Sequence, residues 1–213
     1  LDRTLPDSSL EALLDHPDWR VALDAAAVLG WRRSPDVFAA VMQALPAENR
    51  AEQLRFVSEA FEQPTAFPAV LERLRRAGEP EPVRVGLFSA LVGKDPRWTE
   101  VALGLLQERP DGSLRTAIVG AMRRPEAGPE GVEVLRLGLR DPDAAVRAEA
   151  AMSVGWRTDG LELVPELLAA LDDPRAQPRA MAARSLGWLG ASAALEPLQA
   201  LVVDASPEVR LHA

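Results

Sequence analysis

One residue type returns at a nearly constant interval through more than half of the chain, and that periodicity limits the architecture more than any other feature. Arg84, Arg115, Arg147, Arg179 and Arg210 are separated by 31, 32, 32 and 31 residues. The frame around them returns as well. The stretches LRDPDAAVRAEAAMSVGW (139–156), LDDPRAQPRAMAARSLGW (171–188) and LVVDASPEVRLHA (201–213) share Leu, Asp, a nearby Pro and the Arg, and the first two close on Gly-Trp. A unit of this length is one supersecondary element that cannot bury its apolar face alone, so successive units must stack.

The unit is helical by composition. Hydrophobic residues make up 47% of the 213-residue chain, yet aromatics are only 5% and Tyr is absent. The apolar set is mainly Ala, Leu and Val, and Ala and Leu favour helix where β-branched and aromatic residues favour strands. Start signals recur too. Ser8 with Glu11 has the form of a capping box, and Ser34-Pro35, Asp95-Pro96 and Ser206-Pro207 place Pro at a first helical position. Two degenerate units extend the pattern backwards: Arg55 precedes Arg84 by 29 residues, and DHPDWRVALDAAAVLGW (15–31) keeps the Asp…Pro…Gly-Trp frame. The chain is therefore read as all-α, with helix pairs at 8–15/18–32, 35–45/48–62, 66–77/81–93, 97–108/112–124, 129–140/143–157, 161–171/175–188 and 193–203/207–213.

The segment Leu139, Asp141, Val146, Arg147, Ala150, Ala151, Val154, Gly155 follows the pattern L-x-D-x-x-x-x-V-R-x-x-A-A-x-x-L-G, with Val154 at its second Leu. On these residues the chain resembles HEAT-repeat proteins, most of all the short bacterial repeats named after phycobilisome lyases. The match is strong over 139–213, fair over 81–124 and weak before that. It implies one right-handed α-solenoid of about seven helix pairs over 1–213, with units near 7–33, 34–63, 64–94, 95–125, 126–157, 159–189 and 191–213, the last incomplete. It also implies that second helices line a concave surface. An architecture of this kind does not specify an activity.

A helix wheel numbered from each Arg sorts the second helices into two arcs. Val83, Leu87, Phe88 and Leu91 lie on one arc, as do Leu114, Ile118, Val119 and Met122, then Val146, Ala150, Ala151 and Val154, then Ala182, Ala183 and Leu186. This is the expected core stripe. The recurrent Arg falls inside it, and a guanidinium that is partly buried needs a fixed acceptor. Asp141, Asp173 and Asp204 recur at the same period and are the natural partners, which the resemblance arranges as a ladder between neighbouring units. An arginine row for phosphates is the competing reading; the wheel favours the ladder because it turns these side chains inward.

The opposite arc holds Arg124, Glu149, Met152, Trp156, Met181, Arg184, Trp188 and His212. Exposed Trp, Arg and Met suit partner capture, because Trp and Arg dominate binding hot spots and Met repacks adaptably. The alternative is that each Trp, close to a helix end, folds over the adjacent unit. Arg124, Met152, Trp156, Met181, Arg184 and Trp188 are the candidate partner-binding residues.

Nothing in the sequence assembles into a catalytic constellation. The two His, His16 and His212, fall in the first and last units, Cys is absent, and no Gly-rich loop has phosphate-cradling form. Glu126, Glu130 and Glu133 gather at a helix start, where acids favour the macrodipole. No enzyme activity, metal or cofactor is expected. No apolar run approaches the roughly 18 residues of a membrane span, and a cytoplasmic protein is expected. The net charge of −8 argues against nucleic acid, although Arg32, Arg33, Arg123, Arg124, Arg175 and Arg184 keep an anionic partner of either kind open. The leading expectation is a scaffold or adaptor that binds a protein or peptide on the concave face. The alternative is a nucleic-acid-binding module resembling bacterial alkylpurine DNA glycosylases, to which Trp156 and Trp188 correspond in type only. A bilin-lyase subunit is a third reading without local support. The truncated last unit points to self-association or to continuation of the chain.

Overall fold

The computed structural model describes residues 5–13, 81–93, 97–108 and 112–213, together with positions 16, 21, 25, 71, 74 and 75. The described residues form α-helices, 3₁₀ turns and connecting turns, with no strand among them. The chain divides into two compact units, Leu1–Pro96 and Arg97–Ala213.

In the first unit, α1 (Asp7–Leu13) buries Leu10 against Ala25, with Leu5 and Leu13 packed at the edge. The helix α2 (Glu81–Leu91) buries Leu87, Phe88 and Leu91 and is followed by a turn to Gly93, whose φ of 73° is the left-handed geometry that Gly adopts without a Cβ penalty. The expected unit at 34–63 lies outside the described residues, as do Trp31, Arg55 and the Ser34-Pro35 and Asp95-Pro96 starts.

The second unit contains four helix pairs: α3 (Trp98–Gln107) with α4 (Gly112–Ala121), α5 (Gly128–Gly138) with α6 (Ala144–Gly155), α7 (Val164–Ala170) with α8 (Ala176–Trp188), and α9 (Leu195–Leu201) with α10 (Pro207–His212). The second helices form one layer, in which α4 packs on α6, α6 on α8 and α8 on α10. First helices stack beside them, with α3 against α5, α5 against α6 and α7 against α8. The residues on the expected core stripe supply this contact. Leu114, Ile118, Val119, Met122, Val146, Ala150, Ala151, Val154, Ala182 and Ala183 are all fully buried. Small residues bring the backbones together: a Cβ added to Gly155 would sit 2.6 Å from Ser185 Oγ and 3.1 Å from its Cα.

Two first helices start later than their apolar periodicity predicts, and proline explains both. A 3₁₀ turn at Gly160–Leu163 precedes α7, and another at Ser192–Ala194 precedes α9. Pro165 and Pro197 have no N–H to give to the carbonyl four residues back, and their rings crowd that carbonyl, so α-geometry cannot run through 161 or 193. Second helices also close sooner than the sequence suggests. The helix α4 stops at Ala121 and α6 at Gly155, which leaves Arg124 and Trp156 outside the regular turns. No helix among the described residues is long and apolar enough to cross a membrane.

Candidate partner-binding face and the arginine–aspartate ladder

The second helices α6, α8 and α10 are each entered through an Asp turn. Asp143 caps α6 by accepting a hydrogen bond from the Ala145 backbone N–H at 2.9 Å. Two residues earlier, Asp141 Oδ1 accepts from the backbone N–H of Asp143 at 2.8 Å; Asp173 does the same for Arg175 at 2.9 Å, and Asp204 for Ser206 at 2.7 Å. These Asx-type turns hold three carboxylates in one orientation at the repeat interval.

The recurrent arginines reach these carboxylates from the preceding unit. Arg115 donates Nε to Asp141 Oδ2 at 2.9 Å and Nη2 to Oδ1 at 3.2 Å. Arg147 donates to Asp173 at 2.6 and 2.9 Å, and Arg179 to Asp204 at 3.0 and 2.9 Å. All three pairs are two-pronged, the geometry that matches guanidinium to carboxylate. The remaining nitrogen closes onto the arginine's own turn: Arg147 Nη1 donates to Asp141 O at 2.8 Å, and Arg179 Nη1 to Asp173 O at 2.8 Å. A phosphate would therefore find the Nε and Nη2 donors of Arg115, Arg147 and Arg179 already committed. Arg84 donates Nε to Leu74 O at 3.0 Å within the first unit. Arg210 is exposed and donates Nη1 to the Asp204 and Ala205 carbonyls at 2.7 and 3.1 Å.

Charge follows the geometry. The Arg179 hydrogen bonds, with help from the Ser206 backbone N–H, hold the Asp204 carboxyl below its ordinary value. Burial pushes Asp173 upwards, but the Arg147 and Arg175 hydrogen bonds outweigh it, so this carboxyl also titrates low. The same contacts raise Arg147 and Arg179 above the usual arginine range. An open depression of about 940 Å³ lies along this edge, lined among others by Arg140, Asp141, Arg147, Asp173 and Arg175. Asp141, Arg147 and Asp173 in its wall are rungs of the ladder itself.

The opposite arc gathers an aromatic corner. Trp156 is 60% exposed and Trp188 45% exposed, and the rings meet edge to face with centroids 5.0 Å apart. The Arg184 guanidinium lies over the Trp188 ring at 4.2 Å from its centroid. Met152 and Met181 are half-buried on α6 and α8. The two tryptophans thus touch each other across adjacent units and keep much of their area in water. Arg124 is exposed, but its backbone is extended (φ −76°, ψ 138°) beyond the end of α4, so the helix wheel does not place it on this face.

Three contacts around the face escaped sequence reasoning. Arg123 bridges α4 to Glu149 of α6 and donates Nε to Gly120 O at 2.7 Å. Ser185 donates Oγ to Ala151 O at 2.8 Å, joining α8 to α6 in the interior. Arg157 is the largest omission. Its side chain is only 4% exposed, forks onto Asp159 at 2.6 Å through Nε and Nη2, and donates to the carbonyls of Met122 at 2.7 Å and Gly128 at 2.8 Å. That fork holds the Asp159 carboxyl below its ordinary value. The signal was the Arg-x-Asp after Gly-Trp, invisible to a wheel because it lies past the helix end. Among the described residues no group of three His, Asp or Glu could hold a metal ion.

Stacked helix pairs joined by an arginine–aspartate ladder define an all-helical repeat architecture. Residues 164–213, which contain α7 to α10, match the family model of HEAT repeats. No curated protein matches the chain. Among solved structures, it is similar to human deoxyhypusine hydroxylase in complex with glycerol, with 19% identity over 97% of this chain and 93% of that one, and a TM-score of 0.38.

Proposed function

We propose that this protein is a non-catalytic, cytoplasmic scaffold or adaptor that captures a protein or peptide partner on the exposed face of its second helices. The observation that carries this reading is the Trp156–Trp188 pair. Apolar rings of this size are normally drawn into the interior, and here both remain open while their neighbours on the core stripe are fully buried. They also lie on consecutive units of a rigid stack, which presents them at a fixed spacing and lowers the ordering cost of binding. HEAT repeats of the kind matched over 164–213 serve as interaction surfaces, which agrees with this assignment.

Trp156→Ala and Trp188→Ala are expected to abolish capture of native partners from the source cell while shifting the thermal midpoint by no more than about 2 °C, in line with surface substitutions. Affinity capture of wild type and variants side by side, with melting followed by circular dichroism, makes the comparison. Loss of fold in both variants would show that the rings serve the core, and the site would be withdrawn.

A further inference from the structure

Arg184 differs from the other arginines of its unit that are not exposed. Arg115, Arg136, Arg147, Arg157 and Arg179 all direct guanidinium donors at carboxylates within the protein. Arg184 lies against the Trp188 ring, and among the described residues no carboxylate or carbonyl accepts a hydrogen bond from it. Contact with an aromatic face fixes the plane of a guanidinium while leaving its N–H groups at the rim, free for a planar, two-pronged acceptor. The fork thus lies against Trp188 and has no acceptor among the described residues. Beside it, the exposed Trp156 ring meets Trp188 edge to face, and Met152 and Met181 are half-buried on the same two helices.

We propose that this corner binds a protein segment in which a Glu or Asp stands next to a bulky apolar side chain, the carboxylate taken two-pronged by Arg184 and the apolar group laid on Trp156. The inference rests on the partner-binding reading above and names the chemistry of the partner. Charge selects a protein over a nucleic acid. A nucleic-acid strand requires a row of cations along its backbone, whereas α6 carries Met152 and Glu149, the latter already paired with Arg123, and is followed by Trp156. The chain as a whole carries −8 and repels a polyanion. One fixed cation framed by apolar surface matches one carboxylate framed by apolar side chains.

Fluorescence anisotropy with the purified full chain tests this, using a labelled peptide that carries Glu between Leu and Phe, the same peptide with Gln for Glu, the same with Lys for Glu, and a labelled single-stranded oligonucleotide. The Glu peptide is expected to bind about tenfold more tightly than the Gln peptide, the scale of one hydrogen bond to a charged group. Arg184→Gln should erase that ratio without moving the thermal midpoint, and Arg184→Lys should restore only part of it, because an ammonium lacks the planar fork. An equal Glu-to-Gln ratio in wild type and Arg184→Gln overturns the proposal, as does tighter binding of the Lys peptide or the oligonucleotide. Should the Gln peptide bind as well as the Glu peptide and lose affinity in Trp156→Ala, the acidic partner is refuted while the protein-binding reading survives. Absence of binding by every peptide refutes the proposal, and failure of native capture alongside it removes both.

Discussion

At the scale of single residues, the unit is organised by where each arginine directs its donors. Arg147 and Arg179 each span two units, fixing their own turn through one nitrogen and the next unit's turn through the other two. Arg157 performs a comparable service on the other side, joining the turn after α6 to the turn between α4 and α5. Its path is kept open by Gly131, where an added Cβ would lie 2.8 Å from Arg157 Nη1 and 2.7 Å from Ala127 Cβ. Arg157→Ala would leave the Met122 carbonyl without that donor and the Asp159 carboxylate without its counter-ion, and is expected to lower unfolding free energy by about 3–5 kcal/mol. Gly131→Ala should lower it by about 1–3 kcal/mol through overpacking. Urea denaturation of both variants provides the check, and an Arg157→Ala midpoint equal to wild type would deny the side chain its joining role. The ladder could be anticipated because its arginine and aspartate share one period. Arg157 could not, because a bond between two loops leaves no periodic trace.

At the scale of elements, repetition with small departures decides how closely helices approach. Ser153 on α6 and Ser185 on α8 occupy equivalent positions 32 residues apart, and both are fully buried. Ser185 donates to Ala151 O, whereas Ser153 Oγ has no hydrogen-bond partner among the described residues. The two alanine exchanges should therefore part in sign. Ser185→Ala is expected to destabilise by about 1 kcal/mol through loss of a buried bond, and Ser153→Ala to leave stability unchanged or raise it by up to about 1 kcal/mol. Chemical denaturation resolves the difference, and equal losses in both would contradict the assigned hydrogen-bond pattern. The core stripe was legible in the sequence because burial repeats with the helical period. The early ends of α4 and α6 were not, because a helix closes where its last carbonyls find partners in the turn, as Gly120 O does with Arg123 Nε.

At the scale of the molecule, the ladder makes stability depend on carboxylates that must remain charged. Asp173, Asp204 and Asp159 all titrate below their ordinary value in the folded chain. A lowered carboxyl contributes in full above its unfolded value, about 3.9, and its contribution is lost as pH falls through the lower folded value. The urea midpoint should accordingly stay level through the mildly acidic range and fall steeply below about pH 4. Asp173→Asn should start lower and fall less, and an identical acid profile in wild type and variant would separate the ladder from acid stability. The all-helical repeat, its interval, the core stripe and the pairing of Arg with Asp by period were all written in the sequence, because each depends on local helical geometry repeated along the chain. Only the folded packing decided that Trp156 and Trp188 meet while staying open to water, that Arg184 lies on a ring, and that Arg157 is buried among carbonyls. The meeting of the tryptophans and the burial of Arg157 depend on distances between residues about thirty positions apart, set by how closely small side chains let two helices approach, whereas Arg184 and Trp188 lie four residues apart on one helix and their contact needed only the choice of rotamer.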